Sequence, residues 1–313
     1  MPRGGSESLT PAFGYLVGMV FMDFHLIFMQ LFNGLILGSI YVLLSLGLTV
    51  IFGTLGLVNF AHGALYMLGA YAAYSIVRLL NLHFLIALLL CPIIVGIIGI
   101  LLEKFLISKL YKLPHFYNLL LTFGIMFFVQ DAIKIIYGPE GEPFNIPDFL
   151  GGAVNLGFML YPKYRLFIIL VTGVLASGVW LFIVKTKLGA IIRAGTDDSE
   201  IADALGIDIA RIFTLVFGMG AALAGLAGVL AAPIQDVQPL MGMNFLVETF
   251  VVVIVGGMGS IGGSVLAGLI IGELVTLGII FWPPMSTTLI YIFMALVLII
   301  RPRGLMGRAA FFE

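Results

Sequence analysis

Asn59 and His62 stand three residues apart in GTLGLVNFAHGALYMLGAYAAY, residues 53–74, a run that is otherwise almost wholly apolar or glycine. Asn33, Thr122, Gln130, Asp131, Glu248 and Glu273 sit in similar company. Amides, hydroxyls, an imidazole and carboxylates in such surroundings can hydrogen-bond one membrane helix to another, or they can line a polar path for a solute. Both readings stand for each of them, and His62 can titrate or serve as a structural donor. Asp131 and Lys134, at i and i+3, can form an ion pair near a membrane interface. Glu248 is the most demanding of the set, because a carboxylate in hydrocarbon must be paired or hydrated.

None of these groups has the neighbours that bond-making chemistry needs. The sequence contains no HExxH pair, no GxSxG elbow and no GxxxxGK[ST] phosphate loop, nor any Gly-Lys pair. Cys91 is the single cysteine, which excludes an internal disulfide and leaves zinc without a second thiolate. The expectation is a chain that is not an enzyme and carries no catalytic residue, cofactor site or metal site of its own. Uphill transport through it requires an ion gradient or a separate ATPase.

A second constellation is charged. Residues 185–211, KTKLGAIIRAGTDDSEIADALGIDIAR, hold nine of the 31 Lys, Arg, Asp and Glu residues, so the segments on either side are left nearly uncharged. Thr196 to Asp198 can cap a helix start, acidic residues follow in the first turn, and Gly206 can close the helix in the left-handed conformation. A helix of about two turns results, with Ile201, Ala204 and Leu205 at i, i+3 and i+4 as a narrow apolar face. Nucleation makes so short a helix unstable alone, so it is either part of a solvated loop or it docks on something.

The elements that position these groups follow from composition. With 61% hydrophobic residues, 10% charged residues and a mean hydropathy of +1.19, the 313-residue chain is an all-α, polytopic membrane bundle. Its balance of 15 basic and 16 acidic residues excludes nucleic acid as a partner. Apolar segments fall at 26–52, 53–74, 84–102, 116–137, 166–184, 212–232, 243–256, 262–281 and 285–300, predicting about eight or nine membrane segments. Two Gly-rich stretches, near 53–63 and 256–263, can instead be broken helices inside the bilayer. Residues 1–25 read as an interfacial lead-in rather than a removable signal peptide, 26–307 as the membrane domain containing the charged loop 185–211, and 308–313 as a tail.

Orientation comes from basic residues in short loops. Lys104, Lys109 and Lys112, the 185–211 island, and Arg301, Arg303 and Arg308 are expected on the cytoplasmic side with the C-terminus. Loops 138–165 and 233–242 are expected outside, and nine spans place the N-terminus outside too. Val50, Ile51, Gly53 and Gly56 recur as Val253, Ile254, Gly256 and Gly259, and Gly63 and Gly69 as Gly262 and Gly268, the pattern of an internal repeat.

Three stretches carry a family resemblance: GLVNFAHGALYMLGAY (56–71), RAGTDDSEIADALGIDIARI (193–212) and VVVIVGGMGSIGGSVLAGLIIG (251–272). They resemble, in order, the LivH-type permeases, membrane subunits of ABC importers for branched-chain amino acids and related small polar solutes. The resemblance implies a cytoplasmic coupling helix at Asp198, Glu200, Ala202, Ala204, Leu205 and Gly206. The polar and glycine positions within the apolar segments offer a translocation path among Asn33, Asn59, His62, Thr122, Glu248, Gly256, Gly257 and Gly259. The resemblance further implies a second related permease (LivM-type, or a copy of this chain), two ATPase subunits that alone bind ATP and Mg, an extracytoplasmic binding protein, and a place in the inner membrane.

The sequence departs from that pattern at three places. Glu248 stands where relatives commonly carry Lys, Gly262 where they often carry Pro, and Ala64 where many carry an acidic residue. An importer of urea or a short-chain amide is an alternative of the same architecture. A gradient-driven secondary transporter or channel is the alternative of a different class, and it leaves the 193–212 resemblance unexplained.

Overall fold

The structure is a computed structural model that describes residues 24–157, 159–197 and 199–307. Eleven helices are described: α1 Phe24–Leu55, α2 Ala61–Tyr74, α3 Phe84–Phe105, α4 His115–Tyr137, α5 Lys163–Lys185, α6 Lys187–Asp197, α7 Ser199–Ala204, α8 Ile209–Gln235, α9 Met241–Gly256, α10 Ile261–Phe281 and α11 Thr288–Ile300. The lead-in up to residue 23 and the tail 308–313 lie outside the described residues.

Six helical stretches are long and apolar enough to cross a membrane: Ile27–Leu55, Phe84–Leu110, His115–Tyr137, Lys163–Lys185, Ile209–Gln235 and Ile261–Phe281. The all-α membrane class is thus borne out. The other three expected segments form the shorter helices α2, α9 and α11, of 14, 16 and 13 residues. At 1.5 Å per residue none of these alone spans about 30 Å of hydrocarbon. The chain breaks where glycine allows it, at Gly56 (φ +65°) ahead of α2, and at Gly257 (φ +101°) and Gly259 (φ +82°) between α9 and α10.

The order from centre to periphery follows from where apolar residues meet protein instead of lipid. In α1 and α8, 83% of the most apolar window is buried; the figure is 28% for α3, 22% for α4 and 11% for α5. α1 packs against α10 and α8, and α8 in turn packs against α2 and α3. Without a hydrophobic force between helices in lipid, close backbone approach must supply the attraction, and small residues permit it. A Cβ at Gly228 on α8 would lie 2.0 Å from the Tyr66 carbonyl oxygen of α2 and 2.9 Å from the Ala70 nitrogen. Gly228→Ala is therefore expected to cost about 1–3 kcal/mol through overpacking, read as an earlier midpoint when the purified protein is titrated from mild detergent into a denaturing one.

Capping places the ends. The Asp208 carboxylate accepts from Arg211 N at 3.0 Å to start α8, the Ser260 hydroxyl accepts from Gly263 N at 3.2 Å to start α10, and His83 accepts from Leu85 N at 3.3 Å to start α3.

The connections sort to two ends. At one, the loop after α4 and the turn after α8 are joined backbone to backbone: Glu142 N donates to Val237 O at 2.7 Å, and Val237 N to Glu142 O at 3.0 Å. A small hairpin, β1 Ala153–Asn155 with β2 Leu160–Pro162, completes that cover and buries Tyr161. At the other end, Lys104 and Arg211 line one groove. There Leu305 N also donates to Val255 O at 2.7 Å and Met306 N to Gly256 O at 3.0 Å, fastening the chain's last described residues to the end of α9. The loops expected outside thus share one end, and basic clusters expected inside share the other.

Candidate functional site

The charged island holds two helices where one was expected. Thr186 starts α6 by accepting from Gly189 N at 3.0 Å, and Ile192 is buried against the ends of α1, α5 and α8. Gly189 is required there because a Cβ would meet the Ile183 carbonyl oxygen at 2.2 Å. Arg193 donates to that same carbonyl oxygen, locking α6 beneath α5. Thr196 does not open the next helix; its hydroxyl donates to Ile192 O at 2.8 Å, a bond within the last turn of α6. Asp198 lies outside the described residues, and Glu200 falls in α7.

α7 is one and a half turns ended as expected. Gly206 has φ +85°, with Gly206 N donating to Asp203 O at 2.8 Å and Ile207 N to Ala202 O at 3.1 Å. Its side chains divide cleanly. Ala202 is 2% exposed and faces the bundle, whereas Ile201 is 60% and Leu205 77% exposed, with Ala204 and Gly206 exposed beside them. A short helix anchored through one alanine holds out two large aliphatic side chains, a surface suited to being covered by a partner.

The path candidates fall into three groups. Asn33 lies near the hairpin-covered end, where its Oδ1 accepts from the Arg165 guanidinium at 2.5 Å and its Nδ2 donates to Gln30 Oε1 at 2.9 Å. Asn59, His62 and Thr122 come together around the break before α2. Thr122 Oγ1 accepts from Phe60 N at 3.2 Å, and His62 Nε2 lies 3.0 Å from Leu44 O. Asn59 is 1% exposed with neither side-chain atom hydrogen-bonded, and His62 Nδ1 likewise has no partner. Buried polar groups with no protein partner are a feature of a site that water or solute completes.

Gly256, Gly257 and Gly259 form the third group. Gly256 closes on Gly263, where a Cβ would stand 2.6 Å from the carbonyl carbon; Gly257 faces the chain near Gly307; and Gly259 packs on Gly53. Of the three, Gly259 borders a cavity of about 420 Å³ lined by Thr49, Gly53, Arg193, Ser260 and Met306 among others, so α6 of the island and the glycine turn share one void.

Glu248 belongs to none of these groups. It lies on α9, where its Oε2 accepts from the Tyr41 hydroxyl of α1 at 2.6 Å. Asp131 and Lys134 form the expected ion pair at 3.0 Å on the exposed surface of α4. Among the described residues no cluster of three or more His, Cys, Asp or Glu is placed to hold a metal.

One buried carboxylate escaped the sequence reading. Glu103, 1% exposed at the end of α3, accepts from the Tyr111 hydroxyl at 2.5 Å and from the Thr214 hydroxyl of α8 at 2.6 Å. The only sequence signal was an acidic residue closing an apolar run, LLEKF, which reads equally well as a solvated helix end.

Residues 30–300 match the family described as the branched-chain amino acid transport system permease component. The chain belongs to that permease family. It is 31% identical over 292 residues to the high-affinity branched-chain amino acid transport system permease protein BraD of Pseudomonas aeruginosa, a match covering 89% of this chain and 95% of BraD. Identity is 29% over 293 residues to the LivH permease of Escherichia coli, covering 89% and 95%. The LivM permease of the same bacterium is 26% identical over 260 residues, covering 75% of this chain and 60% of LivM. No solved structure matches the permease. The LivH resemblance read from the sequence is thus borne out, and with it the transport, multi-pass membrane character of this permease.

Proposed function

We propose that this permease is the membrane subunit of an ATP-driven importer of branched-chain amino acids in the inner membrane. It works with a second permease of LivM type or a copy of itself, two ATPase subunits that bind ATP and Mg, and an extracytoplasmic binding protein. The observation that carries the reading is the display of Ile201 on α7 and of Leu205 just after it, on a helix set in the bundle through Ala202. A motor outside the chain needs such a handle, and α6 links the handle to the cavity beside Ser260 and Gly259.

In this reading α2, α9 and α11 complete nine membrane segments, the C-terminus is cytoplasmic, and the Glu142–Val237 end receives the loaded binding protein. The internal echo supports a duplicated unit, since Gly56 and Gly259, displaced by 203 residues, both take the left-handed conformation and lie at the two breaks. The test is to purify the chain with its co-expressed partner subunits in vesicles and measure ATP turnover as binding protein loaded with leucine, or with urea, is added. Leucine-loaded protein is expected to raise turnover and uptake. Stimulation by urea alone, or accumulation of leucine by this chain with no ATPase present, overturns the proposal.

A further inference from the structure

One face of α9 is open at a depth where neighbouring residues are apolar. Met243 is 38% and Val247 46% exposed, Asn244 is exposed and Glu248 partly so, with Asn244 and Glu248 at i and i+4 on the same side. An amide and a carboxylate turned to lipid would be costly, and such groups belong against a water-filled path or a polar ligand.

Behind Glu248 the structure is built rather than open. Tyr41, 2% exposed, gives its hydroxyl proton to Oε2, whereas Oε1 has no hydrogen bond among the described residues. Tyr66 on α2 is fully buried, and its hydroxyl has no hydrogen-bond partner. The Phe245 ring, one turn before Glu248, stands 5.8 Å from the Tyr41 ring and 5.7 Å from the Tyr66 ring. The result is a half-occupied carboxylate, an unpaired hydroxyl and aromatic faces converging on one spot at the edge of the open face.

We propose that Glu248, with Tyr41, Tyr66 and Phe245, forms a subsite for the protonated amino group of the transported amino acid. An ammonium brings several N–H donors and a positive charge, which suit a carboxylate oxygen, a hydroxyl oxygen and a ring face together. A neutral amide or urea satisfies the oxygens but gains nothing from the charge, so the subsite selects amine-bearing solutes. The proposal rests on the importer reading above and deepens it by naming which part of the solute this chain holds.

The test uses the full complex in vesicles with leucine-loaded binding protein. Uptake of leucine per ATP hydrolysed is expected to fall about tenfold or more in Glu248→Gln, and to recover in part in Glu248→Asp. In a second arm, Asn244→Cys is probed with cationic and anionic thiol reagents of equal size, Cys91 being fully buried. The cationic reagent is expected to react about tenfold faster, the preference vanishing when Glu248→Gln is added. Turnover with leucine should slow the cationic reagent only where Glu248 is present.

An unreactive cysteine, a reagent preference that ignores Glu248→Gln, or unchanged uptake per ATP in that variant overturns the subsite. A preference for the anionic reagent does so as well, because it places a basic group of the second permease on Glu248. If the unsubstituted complex takes up no leucine, the importer reading fails instead, and the labelling arm still reports whether Glu248 sets the charge of this face.

Discussion

Leu205→Asp is expected to lower ATP turnover stimulated by loaded binding protein, and uptake with it, by more than tenfold. Leu205 is 77% exposed and touches little of its own chain, so the substitution leaves stability and membrane insertion nearly unchanged. What it changes is the surface offered to a partner: an aliphatic side chain worth about 1.5–3 kcal/mol when buried becomes a charge that resists burial. The loss should appear as weaker association with the ATPase subunits on size-exclusion chromatography. Ala204→Asp, one residue away on the same exposed side, should reproduce it, whereas Ala202→Val, inside the bundle, should act through stability instead. Normal turnover in Leu205→Asp would show that the motor grips elsewhere.

Glu103→Ala is expected to give the largest loss of stability outside the glycine contacts. Its two oxygens accept the Tyr111 and Thr214 hydroxyls, joining the end of α3 to the start of α8. Removing the acceptor strands the Tyr111 hydroxyl, whereas the Thr214 hydroxyl keeps the Ala210 carbonyl oxygen at 3.0 Å, for a cost of about 1–3 kcal/mol. Glu103→Gln keeps the shape and one acceptor and should lose less than half of that, measured in the same detergent titration. Burial, reinforced by the Glu103 hydrogen bond, pushes the Tyr111 hydroxyl well above its ordinary range. The unfolded chain then releases that proton first, so the contact stabilises fully below pH of about 10 and its contribution shrinks as pH rises further. Glu103→Ala should abolish that alkaline dependence.

The class of the molecule was legible because a membrane protein declares itself by composition, and Gly206 was legible because a glycine after an apolar-faced turn has few other uses. The exposed pair Ile201 and Leu205 followed from spacing alone. Span number was harder to read. In lipid both the buried and the lipid-facing sides of a helix are apolar, so periodicity no longer marks the packed face, and only the breaks at Gly56 and Gly257–Gly259 separate a short helix from a full span. α6 was hidden because its start depends on Thr186 and its seat on Gly189 and Arg193, residues that read as loop when their contacts are unseen. Thr196 misled for the opposite reason, since a threonine before acidic residues is a cap signal and here bonds backward. The Glu248 surroundings were beyond reach because the Tyr41 contact joins residues 207 apart.

The join between Glu142 and Val237 is made by peptide groups, not side chains. The two side chains are held as well: Val237 is fully buried, and the Glu142 carboxylate accepts from the Tyr74 hydroxyl at 2.9 Å. Only the exposed positions beside it, Glu140 and Gln238 among them, can change in charge and shape without opening that seam.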